Sequence, residues 1–233
     1  MEFKGWPKTP RLDSPFIITE KIDGTNAAVV IEPHDPNNTD LNGAFAQIYS
    51  AKAPYGKPVD EGDEWLYDVG AQSRNRLIDP AHDNFGFAAW VEENAQALAN
   101  ILGPGRHFGE WWGSGIQRGY GLTKGEKRFS LFNVTRYNPY DSFDKLFDAQ
   151  SNDERPFPNL ATMGLVPLLE WCEEDIPMDS VLVQMNGVLK HLAVNGSRAV
   201  KGFTRPEGVV LLHSRSGQTF KKYLDPDEKG NLR

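Results

Sequence analysis

The chain has 233 residues, long enough to bury a substantial core, and its 39% hydrophobic and 24% charged content is ordinary globular usage. No apolar run approaches the ~18 residues that span a bilayer, the N-terminus MEFKGWPKTPRL has no signal-peptide core, and the single Cys172 excludes an internal disulfide or a multi-cysteine zinc site. A cytoplasmic protein with no membrane partner is the expectation, and its net charge of −7 argues against a polyanion partner until its distribution is read.

Eight segments read as strands: Phe16–Glu20, Ala27–Glu32, Phe45–Ala51, Arg106–Trp111, Phe129–Thr135, Leu165–Trp171, Gly208–His213 and Thr219–Leu224. Turn-rich stretches at Glu32–Gly43 and Ala53–Gly62 separate some of them. Two segments have helical period. Phe87, Val91, Ala95, Leu98 and Leu102 recur three and four apart, as do Leu182, Met185, Leu189 and Leu192, the latter entered by Asp179 and left at Asn195-Gly196. Many strands and few helices, without βαβ alternation, predict an α+β domain of mostly antiparallel sheets with flanking helices, one domain over residues 1–233. From Gly187 to Arg233 nine Lys/Arg face four acids, so that stretch is +5 and the rest −12. A locally basic face can hold a polyanion on an acidic protein.

Several chemistries are excluded. There is no G-x-x-x-x-G-K-[ST] phosphate loop and no G-x-S-x-G, and Gly113, Gly115 and Gly119 have the wrong spacing for a dinucleotide fingerprint. The five histidines (34, 82, 107, 191 and 213) have no metal-ligand spacing.

Five further segments stand behind a sixth, Thr19-Glu20-Lys21-Ile22-Asp23-Gly24-Thr25-Asn26, in which a lysine sits at a sharp strand-end turn. They are Ser73-Arg74-Asn75-Arg76, His107-Phe108-Gly109-Glu110-Trp111, Phe129-Ser130-Leu131-Phe132-Asn133-Val134, Glu207-Gly208-Val209-Val210-Leu211 and Thr219-Phe220-Lys221-Lys222. A lysine amine attacks phosphorus only when neutral, which demands nearby cations and partial burial. Singly, each segment has an ordinary structural explanation: a surface lysine in an Asp-Gly turn, core aromatics, a hairpin turn at Glu207-Gly208, a solvated arginine pair.

In this order, over residues 19–223, the segments resemble the covalent nucleotidyltransferases, the superfamily of DNA ligases, RNA ligases and capping enzymes. The form Glu20-Lys21-Ile22-Asp23-Gly24-Thr25-Asn26 looks most like the ATP-dependent RNA ligases of the phage RNA ligase 2 and RNA-editing branch. The resemblance implies an ATP-grasp-like nucleotidyltransferase fold and a covalent AMP on Lys21. It further implies that Arg74 contacts the nucleotide and RNA end, and that Glu110 and Asn26 hold the ribose. Phe132, with Phe129 in reserve, would stack on adenine beside backbone groups of Thr19 and Glu20. Glu207, with Asp23, would serve Mg²⁺ or Mn²⁺. Lys221 would meet the α-phosphate, with Lys222 as its rival.

Three departures stand out, one of them Asn133 in the aromatic strand, where many relatives have Asp. The last motif of many relatives is K-x-K, whereas here Lys221 and Lys222 are adjacent and Tyr223 takes the second lysine's place. The chain also stops about ten residues after that motif, so no C-terminal OB-fold is expected, and a partner protein or second subunit is expected to stand in for the missing domain. The substrate implied is RNA with 5′-phosphate and 3′-OH ends. A minimal DNA ligase and a catalytically inactive nucleotide- or RNA-binding module remain as alternatives.

Overall fold

The computed structural model describes residues 5, 9–37, 43–54 and 62–224. The stretches Glu32–Gly43 and Ala53–Gly62, and Lys229 and Arg233 of the basic C-terminal stretch, lie partly or wholly outside these residues. In chain order the elements are β1 (Ser14–Lys21), β2 (Thr25–Pro33), β3 (Ala44–Ser50), β4 (Trp65–Ser73), β5 (Leu77–Ile78), α1 (Phe87–Glu93), α2 (Ala95–Leu102) and β6 (Gly105–Gly113). They continue with a single 3₁₀ turn (Gly119–Gly121), β7 (Lys127–Leu131), α3 (Val134–Tyr137), α4 (Phe143–Ser151), β8 (Met163–Leu165), β9 (Leu168–Ile176), α5 (Met178–Asn195), β10 (Gly208–His213) and β11 (Gln218–Tyr223). The α+β class is as the sequence predicts, and no helix among the described residues is long and apolar enough to cross a membrane.

The chain divides into two compact units, each assembled from separate segments. The first comprises Met1–Ile22, Tyr140–Asn152 and Val166–Arg233. Its four strands run in the order β11-β10-β1-β9, antiparallel throughout. Period-two alternation places Phe16, Ile18, Val209 and Leu211 on one face, where they pack with Val181, Met185 and Leu192 of α5. Met185, Leu189 and Leu192 lie on the packed side as the spacing predicts, but at its first turn the stripe runs through Val181, and Leu182 is exposed. The helix stops at Gly196, whose φ of 80° suits a residue without Cβ.

The second unit comprises Asp23–Pro139 and Asp153–Leu165. Its sheet follows β3-β4-β2-β6-β7-β8, antiparallel except for the parallel pair β7 and β8, with β5 paired to β4. One face buries Ala27, Val29, Ile31, Tyr67, Val69, Ala71, Phe129 and Leu131. Phe87 and Trp90 of α1 sit against Trp111 and Phe129 there, with ring centroids 5.1–5.7 Å apart.

Several boundaries differ from the sequence expectation. The periodic run 87–102 is two helices, broken at Asn94, whose side-chain amide donates to Trp90 O at 2.7 Å. The strand expected over Phe129–Thr135 ends at Leu131, because the Asn133 side chain accepts the Arg136 N–H and starts a helical turn. Leu165–Trp171 belongs to two strands, β8 and β9, on either side of Pro167. Strand β4 and helix α4 had no counterpart in the sequence reading.

Candidate active site

In the first unit, strand register decides which side chains meet. Directly paired residues of antiparallel strands project to the same face. Two cross-strand rows therefore share the face opposite α5: Lys21, Gly208 and Tyr223 in one, and Thr19, Val210 and Lys221 in the next. Glu207 lies one residue before Gly208, and its Oε2 accepts a hydrogen bond from Lys21 Nζ at 2.5 Å. Lys21 Nζ lies 5.4 Å from the centroid of the Tyr223 ring, and Lys221 Nζ lies 5.3 Å from it. A Cβ at Gly208 would meet Lys222 O at 2.1 Å and Tyr223 Cα at 2.8 Å, so only glycine permits this strand spacing.

The alternate row, Glu20, Val209 and Lys222, projects toward α5. Lys222 Nζ accordingly donates to Asn186 Oδ1 of that helix at 2.6 Å. Glu20 is buried at 1% exposure and accepts from Ser197 Oγ at 2.6 Å, Arg198 N at 2.8 Å and Ala199 N at 3.2 Å. Burial dominates these donors and pushes its carboxyl up to about 7. The side chain of Glu20 thus braces the connection after α5, while Thr19, on the Lys21 face, is nearly buried.

In the second unit the Asp23-Gly24 turn is held by β6 and the loop that follows it. Gly24 N donates to Glu110 Oε1 at 3.0 Å. A Cβ at Gly24 would lie 2.5 Å from Trp111 O and 2.7 Å from Trp112 Cβ, which explains glycine at that place in the lysine motif. Asp23 N donates to Tyr120 Oη at 3.0 Å, and Arg118 Nε donates to Asp23 Oδ2 at 3.0 Å. Tyr120 is fully buried against Trp112 and has a positive φ of 50°, a conformation that a bulky residue keeps only when its surroundings fix it.

Asn26 pairs directly with Glu110, and Ala28 with Phe108, so Asn26, Glu110 and Phe108 share the face opposite the α1 side. Phe108 is 44% exposed and Phe132 39% exposed, and Phe132 N donates to Phe108 O at 3.1 Å. Phe129, by contrast, is completely buried in the aromatic core. Arg74 is exposed in the turn between β4 and β5.

The first unit therefore brings together Lys21, Glu207 and Lys221 and turns Lys222 and the side chain of Glu20 away from them. The second brings together Asp23, Asn26 and Glu110, with Phe132 beside Phe108. Sequence reasoning missed Arg118 and Tyr120, which hold Asp23. Their signal was the run Gly113-Ser114-Gly115-Ile116-Gln117-Arg118-Gly119-Tyr120-Gly121, whose glycines were weighed only against a dinucleotide fingerprint. It also left Phe108 as core, although strand alternation sets it on the side of Glu110.

Among the described residues no group of three or more His, Cys, Asp or Glu side chains could hold a metal ion alone. A lone carboxylate such as Glu207 beside lysines suits Mg²⁺ or Mn²⁺ held jointly with substrate phosphates, the usual arrangement at nucleotide sites.

Solved structures similar to this chain include variants of Naegleria gruberi RNA ligase. One with AMP and Mn aligns at a TM-score of 0.45 and 18% identity over 91% of this chain and 50% of that one. Another, with ATP and Mn, aligns at a TM-score of 0.48 and 18% identity with the same coverage. The chain thus spans about half the length of those structures. No curated protein matches it by sequence. The match to the RNA ligase family, however, runs over residues 14–224 and takes in all six motif segments, so this chain belongs to the RNA ligase family.

Proposed function

We propose that this chain is an ATP-dependent RNA ligase that joins 3′-OH and 5′-phosphate RNA ends through a lysyl-AMP and an RNA-adenylate. The reading treats residues 1–233 as one ATP-grasp-like adenylyltransferase domain. The observation that carries it is the contact of Lys21 Nζ with Glu207 at 2.5 Å, on the sheet face that also bears Lys221, in a chain of this family.

Lys21 is the nucleophile. Its Nζ forms a bond to the α-phosphorus of ATP as the bond to pyrophosphate breaks and the amine proton is lost. A 5′-phosphate oxygen of RNA then takes the AMP, forming a P–O–P linkage and freeing Lys21. The 3′-OH finally attacks the 5′-phosphorus, sealing the strand and releasing AMP. Lys221 acts as the cation at the α-phosphate, where charge develops in each displacement. Glu207 accepts the hydrogen bond of Lys21 Nζ and would be the carboxylate for a divalent ion, which would neutralise phosphate charge when bound.

Asp23, engaged by Arg118, is the weaker candidate for that ion and serves first to fix the turn. Glu110 and Asn26 are assigned the ribose, Phe132 the adenine, and Arg74 the RNA end, each by the resemblance. Backbone groups of Thr19 and Glu20 are assigned the adenine edge. RNA contacts outside the motifs are assigned to Arg198, Lys201 and Arg205 in the connection between α5 and β10, where Lys201 and Arg205 are exposed and Arg198 stacks 4.0 Å over Phe147. A partner protein or second subunit would extend this surface.

The test is mass spectrometry after incubation with ATP and Mg²⁺, in which the wild type gains one AMP and Lys21→Ala gains none. Label surviving a denaturing gel of Lys21→Ala would overturn the assignment. Nicked duplexes with all-RNA, mixed and all-DNA strands test the substrate; equal or faster sealing of the all-DNA nick transfers the reading to a DNA ligase.

A further inference from the structure

The row Lys21, Gly208, Tyr223 has a property that its motif does not require. Residues two strands apart in a sheet are separated by roughly 10 Å, twice the interstrand spacing, and a side chain on the middle strand normally stands between them. Here the middle residue is Gly208. The gap it leaves lets a long ammonium side chain and an aromatic ring approach across it, and Lys21 Nζ reaches 5.4 Å from the Tyr223 centroid. Lys221, two residues before Tyr223 on the same face of β11, places its own Nζ 5.3 Å from the same ring. One ring therefore serves both lysines, within the ~6 Å over which a ring face attracts a cation.

We infer that Tyr223 is a positioning residue for adenylyl transfer, its ring acting as an uncharged platform that orders the Lys21 and Lys221 side chains on one face of the sheet. The inference rests on the reading of Lys21 as nucleophile and Lys221 as phosphate cation, and adds a residue to it. Tyr223 does not touch the reacting atoms; it acts through the two lysines. Both side chains have many rotamers, and holding each head over a ring removes part of the ordering cost before nucleotide arrives. A lysine at 223 would add a third positive charge to the same face, whereas the ring attracts the two already there. The phenolic hydroxyl has no part in this account, which makes the ring face the property to test.

The experiment compares wild type, Tyr223→Phe, Tyr223→Leu and a series with phenylalanines of increasing ring fluorination at 223. The fluorinated rings keep the shape and drain the negative face, so they report on the platform even if Tyr223→Leu fails to fold. Two quantities are read: the single-turnover rate of AMP attachment at saturating ATP, and the rate at which Lys21 and Lys221 are acetylated by an amine-reactive ester without nucleotide. Tyr223→Phe is expected within about threefold of wild type in both. Tyr223→Leu and the most fluorinated ring are expected to slow AMP attachment about tenfold, graded along the series, and to raise acetylation of both lysines severalfold. Equal rates for Phe, Leu and the fluorinated rings would overturn the platform. If the wild type takes up no AMP, the nucleophile reading fails by itself, and the acetylation series still decides whether the ring holds the two amines.

Discussion

In the sheet β11-β10-β1-β9, the side chains assigned to chemistry are charges meeting charges or a ring: Lys21 on Glu207, and Lys21 and Lys221 over Tyr223. In the unit whose sheet contains β2, β6 and β7, the assigned groups are fixed largely through backbone, the Asp23–Arg118 ion pair excepted. Glu110 takes the Gly24 N–H, Tyr120 takes the Asp23 N–H, and Phe132 is tied by its own N–H to Phe108. The first arrangement suits developing charge at phosphorus, because preformed charges act mainly on the transition state. The second suits recognition, because backbone-fixed groups present a constant shape. Losses in the first unit should therefore appear in rate, and losses in the second in affinity.

The largest effects that test this division belong to Glu207→Ala and Lys221→Ala. Each is expected to slow AMP attachment by about 10²–10³-fold at saturating ATP and Mg²⁺, with little change in melting temperature. Rapid-quench measurement of lysyl-AMP formation checks it. A rise in KM with an unchanged rate constant would erase the difference between the two sheets.

A buried titratable group in each unit gives the comparison a second axis. Burial pushes Glu20 up to about 7, and it pushes His107, hydrogen-bonded to Tyr137 Oη at 2.7 Å, down to about 4. Between roughly pH 4.5 and 7 the unfolded chain ionises Glu20 while the folded chain keeps its proton, so this group's contribution to stability falls as pH rises through that window. His107 has the opposite slope. Between about pH 6.5 and 4 the unfolded chain takes up a proton that the folded chain refuses, so stability falls as pH drops. Each contribution is on the order of 3 kcal/mol over its window. Denaturant unfolding from pH 4 to 8 should show Glu20→Gln flattening the decline toward neutral pH and His107→Gln flattening the acid decline. An unchanged profile in Glu20→Gln would mean that the carboxyl is already ionised beside Ser197.

Phe132→Ala should raise the KM for ATP about tenfold, the scale of one base–aromatic stack, with a smaller change in rate at saturation. Phe129→Leu should instead cost stability, because its ring is packed against Phe87 and Trp90. Reversal of the two outcomes would return the adenine to Phe129.

That pair of phenylalanines also shows how far the sequence could be read. The strand was visible and either ring could have faced outward; its end was not, because Asn133 stops it by a side-chain cap that resembles any other polar residue in the sequence. Strand β4 escaped notice although Tyr67, Val69 and Ala71 alternate with Asp68 and Gly70, because Asp and Gly are both depleted in strands; Asp68 is satisfied by His34 at 3.0 Å and Gln47 at 2.9 Å. Helix α4 escaped because only Leu146 and Ala149 of its nine residues are buried. The motif residues were legible because their spacing is unusual. Their partners were not: Arg118 and Tyr120 reach Asp23 from 95 and 97 residues away.

The smallest expected effect is the sharpest test of register. Lys221 and Lys222 are adjacent, equally charged and indistinguishable by composition, yet β11 turns one to the Lys21 face and the other to Asn186 of α5. A one-residue slip of that strand would exchange them, and with them the faces of Phe220 and Tyr223. Gly208 marks the register as it stands: a Cβ there would meet Lys222 O at 2.1 Å and Tyr223 Cα at 2.8 Å. Lys222→Ala should therefore leave AMP attachment within about threefold of wild type, since the charge it removes points away from the phosphate. It should cost only about 1 kcal/mol of stability, the scale of the single hydrogen bond from half-buried Lys222 to Asn186. Single-turnover rates for the two alanine variants, measured together, decide the matter. A Lys222→Ala protein slower than Lys221→Ala would mean that β11 is displaced by one residue in the nucleotide-bound enzyme.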